Sequence, residues 1–209
     1  MKILLADDHS LMRSGLKLIL TEAFDGAEFG EAVDSQQALE TALAQPWDLV
    51  ILDISMPGRG GLDVLKELQT RRPMMPVLVL SMYAERQFAM RMFRAGAVGY
   101  LTKASAGSEL IRAVKHILAG GRYVSAELAE QLAYALSGTG GGMLHERLSD
   151  REFEILRMIA SGKAVKEIAG ELFLSGNTIS TYRARIMEKM KMRTNAELTS
   201  YAISNRLVE

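Results

Sequence analysis

The strongest constraint on this chain is the way its apolar runs end. Lys2-Ile3-Leu4-Leu5-Ala6 stops at Asp7-Asp8, and Leu49-Val50-Ile51-Leu52 stops at Asp53. Pro76-Val77-Leu78-Val79-Leu80 stops at Ser81, and Val98-Gly99-Tyr100-Leu101-Thr102 stops at Lys103. In an open parallel sheet the carboxyl ends of the strands lie along one edge, where ligands bind. A fold of that kind gathers three carboxylates, a hydroxyl and an ammonium into one cleft. The runs 49–52 and 77–80 are continuously apolar, as strands buried on both faces must be.

The rest of the first ~120 residues agrees with such a sheet. Strands are predicted at 3–6, 28–33, 49–53, 77–81 and 98–101, with amphipathic helices at 11–22, 36–44, 62–69, 86–94 and 109–118. Regular alternation of the two element types predicts βαβ units, and so a five-stranded parallel sheet with helices on both faces. Gly120-Gly121 ends the last of these helices. A further helix is predicted over 125–136, with Ser125 at its N-cap. Gly138, Gly140, Gly141 and Gly142 then read as a flexible linker. Beyond it only helical patterns occur. The expected organisation is an α/β domain at 1–121, a linker region at 122–145 and an all-α domain at 146–209.

Three crowded carboxylates repel one another and attract a hard divalent cation such as Mg2+, which takes oxygen ligands. An aspartate beside such a cation can act as a nucleophile. The cation and Lys103 would neutralise charge on a phosphoryl group, while Ser81 would donate a hydrogen bond to it. Singly, each of these residues is as well explained by capping a strand or starting a helix. Together, and in this order, they point to phosphoryl chemistry at Asp53.

These residues also carry a family resemblance. Asp7-Asp8-His9, Leu52-Asp53-Ile54-Ser55-Met56-Pro57-Gly58, Ser81-Met82 and Gly99-Tyr100-Leu101-Thr102-Lys103 resemble the receiver domain of two-component response regulators over residues 2–120. The resemblance implies a doubly wound, flavodoxin-like fold in which Asp53 accepts a phosphoryl group from a sensor histidine kinase. It implies Mg2+ held directly by Asp8, Asp53 and the main-chain oxygen of Ser55, with Asp7 acting mostly through a bound water. Ser81 and Tyr100 match the family's switch pair, and Lys103 its phosphoryl-binding lysine. One departure is Ala104, where many receivers have a proline that eases a cis peptide bond.

In the second half, Ser149 and Glu152 have capping-box spacing ahead of a helix that runs to Ala160 and stops at Gly162. A short helix at 166–172, a third at 178–190 capped by Ser175, and a fourth opened by Thr194 and Glu197 follow. Two helices joined by a tight turn, the second basic and amphipathic, form a helix-turn-helix pattern. On a helical wheel Ile179, Ile186 and Met190 share the core side, with Tyr182 at its edge. Ser180, Thr181, Ala184 and Glu188 share the outer side, flanked by Arg185 and Lys189. That outer face suits either a major groove or the plain solvent side of a four-helix bundle. Between Asn177 and Arg193 five basic residues face one acid, Glu188, although the whole chain balances 25 basic against 25 acidic residues. A basic stretch in a neutral chain points weakly to an anionic partner.

Leu148-Ser149-Asp150-Arg151-Glu152, Ile159-Ala160-Ser161-Gly162, Lys166-Glu167-Ile168-Ala169 and Leu174-Ser175-x-x-Thr178-Ile179 resemble the LuxR-type helix-turn-helix. Receiver and module together resemble the NarL/FixJ class of response regulators. The resemblance implies that Ser180, Thr181 and Ala184 face bases of double-stranded DNA, with Thr178, Tyr182, Arg185 and Lys189 near phosphates. Ala164 departs from the family's usual Ser or Thr cap; such a loss typically costs ~1 kcal/mol, and Lys163 or Glu167 could compensate.

The expected protein is therefore a phosphorylation-switched, DNA-binding transcription regulator that dimerises when phosphorylated. The rivals are a phosphorylation-independent regulator and an aspartate-dependent phosphohydrolase. The latter places a second acid two residues after its nucleophile, where Ser55 stands. A start that loses its apolar character at Asp7, the absence of cysteine and the lack of a ~20-residue apolar run fit a cytoplasmic protein without a membrane partner. His9 reads as a helix-start residue beside the cleft rather than a metal ligand. His116 and His145 lack partners at ligand spacing. Trp47 and the 13 methionines read as packing. Met82 and Tyr83, next to Ser81, are placed to hinder a hydrolytic water.

Overall fold

The computed structural model describes residues 1–56, 60–82, 85–126, 128–130, 143–205 and 207–208. Pro57, Gly58, Tyr83, the glycines at 138–142 and most of the helix expected over 125–136 lie outside them. The described residues fall into two compact units, one on either side of the glycine-rich stretch.

The first unit alternates β1 (Lys2–Ala6), α1 (Ser10–Ala23), β2 (Glu28–Ala32), α2 (Ser35–Ala44), β3 (Leu49–Asp53), α3 (Gly61–Arg71), β4 (Val77–Ser81), α4 (Glu85–Arg94), β5 (Gly99–Thr102) and α5 (Ala106–Leu118). The strands form one parallel sheet in the order β2-β1-β3-β4-β5. Every residue of β3 and β4 is buried, which accounts for their unbroken apolar sequence. Successive side chains of a strand point to opposite faces. Ile3, Leu5, Ile51, Leu78, Leu80 and Leu101 thus pack with Leu16 and Leu20 of α1 and Leu110, Val114 and Ile117 of α5. Leu4, Val50, Leu52 and Val79 face the other way and are equally buried. On that side α2 packs on β1 and α3, and α4 on β5.

The strand order reverses direction between β1 and β3, so the crevice of this sheet opens at their carboxyl ends. Those ends carry Asp7-Asp8 and Asp53. Gly61 keeps the β3–α3 connection tight, because a β-carbon there would collide with the backbone of Ile54. Trp47 packs over Gly30 and donates its indole N–H to the Thr41 carbonyl at 3.0 Å, a structural role as expected. A helical turn opens at Ser125, whose hydroxyl accepts the Leu128 amide at 3.1 Å. No cis peptide bond occurs among the described residues.

The second unit begins with a 3-10 turn (Leu144–Arg147) and continues with α6 (Asp150–Ala160), α7 (Val165–Glu171), α8 (Gly176–Met190) and α9 (Asn195–Ser204). Ser149 and Glu152 complete the capping box at the start of α6. Ser175 caps α8 by accepting the Thr178 amide, and Thr194 caps α9 by accepting the Glu197 amide. Ala164 offers α7 no side-chain cap, but the Glu167 carboxylate accepts the Ala164 amide at 2.7 Å, and Lys163 pairs with Glu171 at 2.6 Å. Half of a capping box therefore survives. Phe153, Leu156, Ile168, Ile179, Ile186, Leu198 and Ala202 are buried between the helices.

Candidate functional site

The cleft of the first unit forms where β1, β3, β4 and β5 end. Asp53, Ser81 and Tyr100 are fully buried, Asp7 is 2 % exposed and the Lys103 side chain 5 %. Lys103 Nζ lies 2.7 Å from Asp53 Oδ2 and 2.7 Å from Asp7 Oδ2. The other Asp53 oxygen, Oδ1, accepts the Ser55 amide at 2.8 Å. The main chain holds the lysine in place: the Lys103 amide donates to the Ser81 carbonyl at 2.7 Å. Four residues separated by up to about a hundred positions thus converge because a parallel sheet aligns its strand ends.

Charge in the cleft is unbalanced, with the carboxylates of Asp7, Asp8 and Asp53 around one ammonium. Burial pushes the Asp53 carboxyl above the ordinary carboxylate range, and hydrogen bonds from Lys103 and the Ser55 amide offset only part of this. Burial draws the Lys103 ammonium down, but its hydrogen bond to Asp53 and its ion pair with Asp7 outweigh that and leave it above its ordinary value. Both shifts run upward, that of Asp53 mainly through burial and that of Lys103 through its carboxylate partners.

The residues present fit a divalent cation. Asp7 Oδ2 and Asp8 Oδ1 are buried oxygens with no hydrogen-bond partner, since Lys103 approaches Asp7 Oδ2 without hydrogen-bond geometry. Asp7, Asp8, His9 and Asp53 each present a ligand atom, and all four atoms lie within 4.8 Å of one another. The carboxylates are hard oxygen donors of the kind Mg2+ prefers.

Two residues without an assigned role also touch the cleft. His9 is the N-cap residue of α1, as its helix-start reading implied, yet its Nδ1 lies 2.9 Å from Asp8 Oδ1 and 3.2 Å from Asp7 Oδ1. Arg13, one turn further along α1, donates from Nη1 to the Asp7 carbonyl at 2.7 Å and pairs with Glu31 at 3.0 Å. Its position four residues after His9 is the only hint the sequence carries. At the rim, Met82 is 70 % exposed.

The second unit presents the other candidate surface. On α8, Ile179, Ile186 and Met190 are buried, whereas Ser180, Thr181, Ala184 and Glu188 are exposed. Thr178 and Tyr182 are half-buried and Arg185 is exposed. The wheel therefore matches the fold residue by residue. Ser180 donates its hydroxyl to the Gly176 carbonyl at 2.9 Å and Thr181 to the Asn177 carbonyl at 3.0 Å, which leaves lone pairs facing outward. Lys189 also has a partner within this unit. Its Nζ lies 2.6 Å from Oε2 of the buried Glu152, so it ties α8 to α6. Burial would raise the Glu152 carboxyl, but the bonds from Lys189 and the Ser149 amide hold it below its ordinary value. His145, which had no assigned role, is buried in this unit. It bonds to the Tyr201 hydroxyl at 3.0 Å and packs on Phe153 with ring centroids 5.7 Å apart.

Residues 3–115 match the response regulator receiver domain, and residues 146–202 match the luxR family of bacterial regulatory proteins. The chain belongs to the response regulators. It is 34% identical to response regulator GacA of Pseudomonas aeruginosa over 100% of this chain and 98% of that one. It is 32% identical to response regulator UvrY of Escherichia coli K12 over 98% and 94%. Among solved structures, RcsB of Salmonella enterica serovar Typhimurium, bound to promoter rprA in the presence of the phosphomimetic BeF3−, superposes with a TM-score of 0.70 at 28% identity over 98% of this chain and 99% of that one. This response regulator thus pairs a receiver, whose strand ends form the acidic cleft, with a LuxR-type helix-turn-helix made by α7 and α8. No helix among the described residues is long and apolar enough to cross a membrane.

Proposed function

We propose that Asp53 is the phosphoryl acceptor of this transcription regulator and that its phosphorylation controls how the LuxR-type unit engages double-stranded DNA. The observation that carries this reading is Lys103 Nζ at 2.7 Å from both Asp53 and Asp7 inside a buried, electronegative strand-end cleft. A sensor histidine kinase supplies the phosphoryl group. An Asp53 oxygen forms a bond to phosphorus as the bond from phosphorus to the kinase's imidazole nitrogen breaks. Lys103, released from the Asp53 oxygen that becomes esterified, pairs with a phosphoryl oxygen, and Ser81 donates a hydrogen bond to another. Asp7, Asp8, Asp53 and the main-chain oxygen of Ser55 are the groups that would hold Mg2+. When bound, Mg2+ supplies charge neutralisation at the phosphoryl oxygens.

Phosphorylation adds charge and acceptor oxygens in the cleft. Ser81 closing on them makes room at the end of β4, and the buried Tyr100 of β5 is the side chain placed to respond. This is a local charge event biasing a two-state element. In the DNA-binding unit Ser180, Thr181 and Ala184 face the bases, and Thr178, Tyr182, Arg185 and Lys189 lie near phosphates. Lys189 also positions the helix through Glu152. The short side chains on the outer face give little discrimination, so selecting a site takes two copies related by a two-fold axis. Hence we propose a homodimer on phosphorylation, working in the cytoplasm.

The deciding experiment is incubation with acetyl phosphate and Mg2+ followed by intact mass and DNA binding. One stable phosphate, absent in Asp53→Asn and accompanied by tighter DNA binding, is the expected result. DNA binding without any phosphate uptake would instead identify a phosphorylation-independent regulator. Rapid turnover without accumulation would identify a phosphohydrolase.

A further inference from the structure

His9, like Arg13, touches the cleft and is used by neither the oxygen-donor metal set nor the switch, and it alone of the two can ligate a metal. Its main-chain N–H donates to Asp7 Oδ1 at 2.8 Å, which fixes the start of α1. Its side chain makes no capping bond to that helix. Instead the imidazole, 64 % exposed, turns toward the acids: Nδ1 is hydrogen-bonded to Asp7 Oδ1 at 3.2 Å, a bond that a cation would have to replace, and lies 2.9 Å from Asp8 Oδ1. Asp8 Oδ1 is nonetheless a buried oxygen without a hydrogen-bond partner, so closeness to the ring does not satisfy it.

That spacing is what two neighbouring ligands of one cation require. In an octahedron with bonds of ~2.1 Å, adjacent donor atoms lie about 3 Å apart and opposite ones about 4 Å. The ligand atoms of Asp7, Asp8, His9 and Asp53 all lie within 4.8 Å of one another, close to that span. An imidazole among carboxylates changes the character of the set. Mg2+ prefers oxygen and water, whereas imidazole nitrogen favours first-row transition ions, which bind mixed nitrogen and oxygen sites more tightly.

We propose that His9 is a ligand to the divalent cation of the cleft and gives the site a preference for first-row transition ions over Mg2+. This rests on the cleft being a metal site at all. The test uses the full-length protein loaded with Mn2+, examined by pulsed electron paramagnetic resonance and by competition with Mg2+. Wild type shows nuclear modulation from a coordinated imidazole nitrogen. His9→Asn, which keeps a favourable N-cap residue, still binds Mn2+ but loses that modulation. Its preference for Mn2+ over Mg2+ falls roughly tenfold, the change expected from about 1.4 kcal/mol of lost ligand affinity. Bound Mn2+ without nitrogen modulation in wild type overturns the role of His9 and leaves the metal site standing. The same holds for modulation that survives in His9→Asn and so comes from His116 or His145. Mn2+ binding unaffected by Asp53→Asn overturns the metal reading of the cleft as well.

Discussion

The acidic cleft and the outer face of α8 are built in opposite ways. In the cleft the charges are buried and clamped: Asp53, Asp7 and Lys103 are each at most 5 % exposed, and Lys103 Nζ lies 2.7 Å from each carboxylate. On the outer face of α8 Ser180, Thr181 and Ala184 are exposed and short, and the two hydroxyls bond back to their own helix. The cleft stores an electrostatic imbalance that a cation or a phosphoryl group can change. The helix face presents a shape whose chemistry the partner completes. A signalling site needs bistability, and buried charge provides it, since small changes there have large energies. A reading surface needs close approach, which small exposed side chains allow.

The largest effect is expected in the cleft. Asp53→Asn abolishes phosphate incorporation from acetyl phosphate while leaving the fold intact, as intact mass and circular dichroism will report. A variant that still takes up phosphate at the normal rate would break the assignment of the cleft's chemistry to Asp53.

Glu152→Gln is the next largest, and it asks whether the second unit also depends on buried charge. Hydrogen bonds to a charged group contribute about 1.5–3 kcal/mol, and this substitution weakens the bonds to Lys189 and the Ser149 amide. Urea unfolding of the helical unit within the full chain measures the loss. The pH dependence has a definite sign. The folded Glu152 carboxyl sits below its ordinary value of 4.5, so its stabilisation is present above that value and fades as pH falls through the lower folded one. In Glu152→Gln that acid-side component disappears. An unchanged acid limb would place the stability of this unit elsewhere.

Smaller changes are expected on the recognition face itself. Arg185 is exposed and has no ion pair among the described residues, so Arg185→Ala weakens binding to all sequences alike and lowers the salt slope by about 1. Lys189→Ala lowers stability as well, because it leaves Glu152 buried without its partner. Thr181→Ala shifts sequence preference at nearly constant stability. Binding titrations across salt concentrations separate these cases, and an identical salt slope for Arg185→Ala would remove that residue from the phosphate-contact set.

The smallest effect concerns the rim. Met82→Ala, by opening the path of an in-line water, is expected to shorten the lifetime of phospho-Asp53 severalfold, followed by loss of the phosphorylated mass over time. An unchanged lifetime would show that the exposed Met82 does not shield phosphorus.

The site residues of the cleft were legible because each sits at the end of a strand whose composition is dictated by burial. The strands 49–53 and 77–81 were located to the residue for the same reason. Helix starts were less legible. The fifth helix begins at Ala106 rather than 109, since periodicity only emerges once Leu110 and Val114 recur, while the buried Ala106 carries no such pattern. The first and third helices likewise start one residue early, at Ser10 and Gly61.

The sequence by itself determined the alternation, the identity of the residues at the strand ends, the caps at Ser149, Ser175 and Thr194, and the inward and outward faces of α8. All of these follow from local periodicity and local hydrogen bonding, which act over a few residues. Only the tertiary structure decided that Lys189 spends its charge on Glu152, 37 positions away, that His145 reaches Tyr201 across 56, and that His9 turns its ring into the acids. Those choices depend on which side chains the packed helices and strand ends bring within reach, and a one-dimensional pattern carries no measure of that distance.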